Sequence, residues 1–304
     1  MKENEANQFQ IAVLIPCYNE SKTIAKVVED FRTQLPQAKI YVFDNNSTDG
    51  SGEIAARAGG TVVKEKQQGK GFVVASMLKK VKADFYVMVD GDDTYPAEKV
   101  RDLLQPVLDE TADMVVGKRL TEYAPHAFRP LHVTGNRLVS RSINLVFNSN
   151  LDDPMSGYRA FTREVALELP VVAFGFDIET ETTLQLLYRR FIIKEIPVLY
   201  RARPEGSYSK LNTFRDGMLV LWKIASIAMA YKPLTLFGAF GIAMTVLGII
   251  FGIIMPQVLP LAVGAVVIGV ILGAIGILLH AINFRLMEFI SIISKSYSPN
   301  IDNK

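Results

Sequence analysis

Phe85-Tyr86-Val87-Met88-Val89-Asp90-Gly91-Asp92-Asp93 is an apolar run that stops on three carboxylates within four positions. The run reads as a buried strand, and ligands of open α/β sheets bind beyond the carboxyl ends of the strands. Mg2+ and Mn2+ take oxygen ligands and bridge to substrate phosphates. Asp90 and Asp92, flanking Gly91, are therefore candidate ligands for a metal shared with a diphosphate. The same residues also read as a turn. Asp-Gly is a turn signal, and Asp93 or Thr94 is suited to cap a helix opening near Pro96.

On either side of this run the chain alternates short apolar segments with longer amphipathic ones. Ile11 to Ile15, Ile40 to Phe43, Thr61 to Val63, Phe85 to Val89 and Met114 to Val116 are predicted strands. Ser21 to Thr33, Gly52 to Ala58, Gly71 to Lys82 and Pro96 to Asp109 are predicted helices, giving the alternation of a mainly parallel sheet. Beyond Gly117 the rhythm breaks. Helices are expected over Thr134 to Phe147 and Ile178 to Arg190, and Ile192 to Val198 is suited to return as a strand that completes the sheet. No internal repeat or low-complexity segment is evident.

With 304 residues, 49% of them hydrophobic, the chain has enough apolar sequence for one sizeable domain and more besides. The excess is concentrated. From Pro233 to Phe284 there is no Asp, Glu, Lys or Arg. Leu234 to Ile254 and Leu261 to Asn283 are each long enough to cross a hydrocarbon core, which takes about 20 apolar residues. Pro256-Gln257-Val258-Leu259-Pro260 joins them as a short turn, so the two form a hairpin with both flanks on one side. Those flanks carry Lys223 and Lys232 before the hairpin and Arg285 and Lys295 after it, which puts both termini in the cytoplasm. The polar N-terminus lacks the features of a signal peptide, so the first domain is also expected to be cytoplasmic. Between Ser209 and Tyr231 basic residues and Trp222 mix with apolar ones, the composition of an interfacial helix or of an ordinary amphipathic helix packed on the soluble domain. The four-residue spacing of Gly248 with Gly252, and of Gly269 with Gly273, permits close helix packing, including between copies in a homo-oligomer.

The single cysteine, Cys17, rules out an internal disulfide framework and a multi-cysteine metal site. A net charge of +2, with no extended basic run carrying aromatics, gives no sign of a nucleic-acid partner. Two further strand ends are polar: Pro16-Cys17-Tyr18-Asn19-Glu20 and Asp44-Asn45-Asn46-Ser47-Thr48-Asp49-Gly50. In a parallel sheet they share an edge with Asp90 to Asp93, where a nucleotide can stack and hydrogen-bond, although each alone also reads as a loop or turn. No Gly-x-Gly-x-x-Gly follows Ile15, and Gly69-Lys70-Gly71 lacks the rest of a P-loop. It still sets a cation and flexible backbone at a helix start, favourable for a diphosphate.

The segments IAVLIPCYNE, VFDNNSTDGS, DGDD, DPMSGYRAF and SKL resemble family 2 glycosyltransferases of the GT-A fold. Within that family they resemble polyprenyl-phosphate sugar synthases such as dolichol-phosphate mannose synthase. The resemblance implies an α/β GT-A nucleotide-sugar-binding domain over residues 1–208 with a mainly parallel sheet. A juxtamembrane amphipathic helix over 209–232, a two-helix transmembrane hairpin over 233–284 and a cytoplasmic tail over 285–304 would follow. It further implies that Pro16, Tyr18, Glu20, Asp44, Lys70 and Gly91 surround the nucleotide, and that Asp90 and Asp92 bind Mg2+ or Mn2+ and the diphosphate. Arg119, Arg137, Ser140, Arg203 and Lys210 would gather at the phosphate of a membrane polyprenol, Arg119 and Arg137 taking part in catalysis.

The expected reaction is an inverting, metal-dependent transfer of a sugar from a UDP- or GDP-linked donor to a polyprenyl phosphate in the cell membrane. Two departures bear on the acceptor. Asn136, followed by Arg137, stands where the synthases usually carry an arginine four residues before the serine, and the segment Arg203 to Tyr208 is one residue longer than their pattern. At the metal, Asp93 and Thr94 replace a glutamine. Phe174 to Glu181 adds acids, of which Asp177 and Glu179 are suited to the acceptor, the metal or a helix N-terminus. Two other readings are a glycosyltransferase for another lipid or saccharide acceptor and a non-catalytic module that binds nucleotide sugars. Intact Asp90 and Asp92 weigh against the second.

Overall fold

β1 (Ile11–Cys17) is apolar on both faces and lies in the middle of the sheet. The order of elements is β1, α1 (Ile24–Gln34), β2 (Lys39–Asp44), α2 (Ser51–Arg57), β3 (Thr61–Lys64), α3 (Lys70–Lys80), β4 (Phe85–Met88) and α4 (Val100–Leu108). There follow β5 (Met114–Tyr123), α5 (Pro130–Phe147), β6 (Arg159–Thr162), α6 (Arg163–Glu168), α7 (Ile178–Tyr188) and β7 (Ile193–Tyr200). This is a computed structural model, and it describes residues 9–123, 130–169, 178–202 and 232–297, with Trp222, Ala225, Ser226, Ala228 and Met229. Most of the expected interfacial helix, with Arg203, Lys210 and Asp177, lies outside the described residues.

The seven strands run in the order β3-β2-β1-β4-β6-β5-β7. β1 is parallel to β2 and β4, β2 is parallel to β3, and β5 is parallel to β7; β6 is antiparallel to both β4 and β5. Alternate side chains of a strand face opposite sides, so a sheet covered on both faces needs strands that are apolar throughout. In β1, Val13 and Ile15 join Val28, Phe31 and Leu103 in one core. Ala12 and Leu14 join Val73, Met77 and Phe161 in the other.

β6, like the short α6 after it, is an element that the sequence pattern does not signal. It is four residues long and begins with Arg159, which is fully buried, so it shows neither alternation nor an apolar run. Its antiparallel insertion separates the first four strands from β5 and β7 and carries the segment before it, Asp153 to Tyr158, to the carboxyl end of β4.

The residues divide into two compact units, Met1–Ile224 and Ala225–Lys304. In the second, helices Pro233–Ile254 and Leu259–Tyr297 are joined by a short 3-10 turn, Pro256–Val258. Pro233–Ile254 and Pro256–Leu286 are candidate membrane spans by length and composition. Their apolar side chains face outward: Ile242 is 69% exposed, Ile253 75% and Leu261 75%, whereas a hairpin in a soluble core buries such residues. The pair is a candidate transmembrane hairpin. The second helix runs on through Arg285 to Tyr297, past the expected end of the span.

Packing between the two helices consumes several of the glycines. A Cβ on Gly241 would stand 2.6 Å from the Gly269 carbonyl oxygen, and one on Gly248 would stand 2.7 Å from that of Ala262. Small residues at these positions let the backbones approach within the hairpin itself.

Candidate active site

Parallel pairing aligns the strand ends that carry the polar clusters. Cys17 at the end of β1 is level with Asp44 at the end of β2, and Leu14 with Met88, two residues before Asp90. The loops that follow are laced together by their short polar side chains. The Asn19 N–H donates to Ser47 Oγ at 3.0 Å, the Thr48 N–H to Asn19 Oδ1 at 2.8 Å, and the Glu20 N–H to Ser51 Oγ at 2.8 Å. Asn19 itself is left-handed, with φ of 53°, a region that asparagine tolerates better than most residues. The result is one continuous polar rim. Pro16 and Tyr18 lie on it, Tyr18 exposed, and Asp44 is buried behind it, accepting from the Ser47 N–H at 3.1 Å. Burial and the neighbouring Asp44 push the Cys17 thiol up to about 12, so it stays a neutral core side chain.

Asn45 connects this rim to the expected phosphate-binding loop, a role that sequence reasoning did not assign to it. Its amide donates to the carbonyls of Glu65 at 3.0 Å and Gln67 at 2.7 Å, and its Oδ1 accepts from the Gly69 N–H at 2.8 Å. Gly69, with φ of 140°, then turns the chain into α3, whose first residue is Lys70. An Asn45→Ala variant loses all three anchors at once. It is expected to raise the donor KM about tenfold with a smaller effect on kcat, because what slackens is a positioning loop. Steady-state kinetics at saturating acceptor measure this.

Lys70 reaches across to the acids of β4. Its Nζ lies 2.6 Å from Asp90 Oδ1 and 2.5 Å from Glu179 Oε1 on α7. Burial opposes the Lys70 charge, but the Asp90 and Glu179 carboxylates outweigh it and hold the ammonium well above the ordinary lysine range. Gly91 is buried with its would-be Cβ 3.3 Å from Ile24 and 3.4 Å from the Pro16 carbonyl, and Thr23 Oγ1 donates to its carbonyl at 2.7 Å. The acid loop is thereby fixed against β1.

The three carboxylates have separated environments. Asp92 is buried and accepts from Thr94 Oγ1 at 2.5 Å. Asp93, left-handed with φ of 56°, takes Lys26 Nζ at 2.8 Å on Oδ1, and Arg201 Nη1 lies 3.8 Å from the same oxygen. Neither Asp93 nor Thr94 caps the helical turn at Ala97–Lys99, which has no side-chain cap. The capping expectation is corrected: Thr94 is engaged by Asp92, and Asp93 ties the loop to α1 and to the chain after β7.

Two further residues shape the site. A Cβ on Gly157 would stand 2.6 Å from Asp90 Oδ2, so the backbone there lies against the carboxylate itself. Arg159 donates to the carbonyls of Ser156 at 2.8 Å, Pro154 at 2.6 Å and Glu179 at 2.8 Å. It thus fastens the Gly157 loop and the Glu179 turn of α7 to β6. Burial lowers its guanidinium to about 10, against the pull of Glu179. Both residues stood in the motif DPMSGYRAF, but their roles depend on contacts between distant parts of the chain.

Of the five residues expected at the acceptor phosphate, three are described. Arg119 forms a bidentate pair with the fully buried Asp153, Nε at 2.8 Å and Nη2 at 2.9 Å, and stacks over Tyr200. Ser140 Oγ lies 2.7 Å from the Asp152 carbonyl. These two converge on one corner, Asp152-Asp153, which Lys118 and the Glu195 carboxylate also hold. Arg137 is exposed on α5, beside the buried Asn136.

Asp90, paired with Lys70, and Asp92, buried and paired with Thr94, are the hard oxygen donors after β4, and Gly157 leaves the Asp90 carboxylate room. Among the described residues no three acid, histidine or cysteine side chains gather as a complete metal cage. A divalent ion that a diphosphate helps to ligate needs only one or two carboxylates, and this pair fits it.

Comparison with known proteins identifies the family and the fold. The model of the family "Glycosyl transferase family 2" matches residues 12–169. Glycosyltransferase AglJ of Haloferax volcanii is 37% identical over 240 residues, which are 79% of this chain and 78% of that protein. The dolichyl-phosphate hexose transferase of the same organism is 28% identical over 220 residues, 72% of this chain and 94% of that protein. A crystal structure of glucosyl-3-phosphoglycerate synthase from Mycobacterium tuberculosis, in complex with Mn2+, UDP-glucose and phosphoglyceric acid, has a TM-score of 0.61 at 22% identity. The match covers 74% of this chain and 81% of that one. The sheet is that of a GT-A fold. The chain belongs to glycosyl transferase family 2.

Proposed function

We propose that the protein transfers a sugar from a UDP- or GDP-linked donor to the phosphate of a membrane polyprenol, with inversion at the anomeric carbon and dependence on Mg2+ or Mn2+. The observation that carries the reading is the meeting of Lys70, Asp90 and Glu179, with Asn45 joining the loop before Lys70 to the nucleotide edge. Support for the acceptor comes from the two exposed apolar helices on the same chain and from the relative named as a dolichyl-phosphate hexose transferase.

The nucleoside would stack along the rim of Pro16, Tyr18, Glu20 and Asp44, and its diphosphate would reach Lys70. When bound, the divalent ion on Asp90 and Asp92 supplies charge neutralisation for the departing diphosphate. A phosphate monoester is already ionised near neutral pH, so its oxygen attacks without a general base. The chain's task is alignment and electrostatic stabilisation. On this reading the catalytic domain and both termini are cytoplasmic, and the hairpin anchors the chain in the membrane that holds the acceptor.

Arg119, Arg137, Ser140, Arg203 and Lys210 form the proposed acceptor set. Asp153 already occupies one edge of the Arg119 guanidinium, so the direct phosphate contacts fall mainly to Arg137, Arg203 and Lys210. Arg137→Ala is expected to raise the KM for polyprenyl phosphate about tenfold and to leave the donor KM unchanged, as loss of one charge-assisted contact would. The function is tested by incubating the full chain in detergent with polyprenyl phosphate and a panel of radiolabelled nucleotide sugars, with and without chelator. Label should enter the organic phase from one donor only, and not when polyprenol without phosphate replaces the acceptor. Transfer to a saccharide, or to none of the acceptors, would contradict it.

A further inference from the structure

Lys70 is held between two carboxylates that differ in access. The Asp90 side chain is 27% exposed, whereas that of Glu179 is 6% exposed, and the Glu179 carbonyl is fastened by Arg159 and by Thr183 Oγ1 at 2.9 Å. We propose that Lys70 and a divalent cation exclude one another at Asp90, with Glu179 retaining Lys70 in the site during the exchange, so that metal enters with the diphosphate rather than before it. This rests on the reading of Asp90 as a metal ligand.

The physical reason is competition for one carboxylate. The ammonium stands 2.6 Å from Asp90 Oδ1, and a magnesium-sized ion would approach the same carboxylate to about 2.1 Å. A double and a single positive charge so close together, in a partly buried site, repel with little screening. A diphosphate changes the balance, because it brings more than one negative charge and several oxygens that both cations can share. Glu179 is the partner that remains: it is the more buried carboxylate, and its turn is tied to β6 through Arg159, so Lys70 is kept within reach of the incoming phosphates. Glu179 thereby acts as a positioning residue for Lys70 rather than as a metal ligand.

The test is Mn2+ binding to the purified full chain, read by electron paramagnetic resonance as loss of the free-ion signal, first with Mn2+ alone and then with UDP or GDP added. Wild-type protein is expected to bind Mn2+ weakly alone and at least about tenfold more tightly with the nucleoside diphosphate. Lys70→Met and Lys70→Gln should each bind Mn2+ alone about tenfold more tightly than wild type and gain less from the nucleotide. Melting temperatures close to that of wild type would show that the variants are folded. Equal Mn2+ affinity of folded Lys70 variants and wild type without nucleotide would overturn the exchange. Absence of Mn2+ binding in every form, even with nucleoside diphosphate, would overturn the metal reading and the exchange together. A Glu179→Gln variant in which nucleotide promotes Mn2+ binding as strongly as in wild type would remove Glu179 from the proposal.

Discussion

Asp90→Asn is expected to lower the rate of sugar transfer by about 10³-fold or more while leaving the fold intact, because the carboxylate is used in electrostatic stabilisation of the leaving diphosphate. The substitution keeps the size of the side chain and removes its charge. Lys70 retains Glu179 as a partner, and Asp90 is only half-buried, so the site is left with no isolated buried charge of the kind that is strongly destabilising. The expected change in melting temperature is therefore no more than about 4 °C. Single-turnover transfer with bound donor, read beside thermal unfolding, separates the two effects. A variant with more than about a tenth of wild-type activity would remove Asp90 from the reaction.

Gly157→Ala is the second large effect, and it arises from a residue without a side chain. A methyl group there would stand 2.6 Å from Asp90 Oδ2 and 3.1 Å from Cγ, closer than non-bonded atoms approach. Gly157 is fixed, because its N–H donates to the buried Tyr95 hydroxyl at 3.0 Å. The carboxylate must then turn away from its place beside Lys70. A displacement of about 1 Å at a catalytic group can cost about 10²-fold in rate, whereas stability should fall by only about 1 kcal/mol, as for mild overpacking. Gly157→Ala should accordingly resemble Asp90→Asn in activity and wild type in unfolding. Full activity in the alanine variant would mean that the position of the Asp90 carboxylate is not decisive.

Much of the architecture was legible because burial on both faces writes itself into the chain. β1, β2 and β4 are runs of apolar residues, and each ends where the sequence turns polar, so the strand ends and the acids beyond them were visible together. Where structure depends on distant partners, the sequence was silent. β6 is short and starts with an arginine that ties the loop just before it, at Pro154 and Ser156, to Glu179 on α7. Asn45 looked like part of a turn, and its importance lies in bonds to a loop 20 to 24 residues away. Gly157 has no side chain to signal that the Asp90 carboxylate lies against it.

The run of three carboxylates shows the same limit at closer range. Asp90, Asp92 and Asp93 are nearly adjacent and chemically alike, but a left-handed backbone at Asp93 turns its carboxylate to Lys26 and Arg201. Such a conformation depends on local geometry that a string of acids does not reveal. Pairing with Lys70 likewise distinguishes Asp90 from Asp92, whose partner is its own neighbour Thr94. Glycine spacing in the hairpin was legible as close packing, but the surface it serves was not: Gly241 and Gly248 meet the partner helix of the same chain.

Mass spectrometry of the products formed by the full chain from a nucleotide sugar and polyprenyl phosphate distinguishes transfer to the lipid phosphate from every other outcome. Equal amounts of a polyprenyl monophosphate bearing one sugar and of free nucleoside diphosphate are expected, with both lost on chelation and in Asp90→Asn. Nucleoside diphosphate released without the lipid product, or a sugar found on an acceptor other than the lipid phosphate, would contradict that transfer.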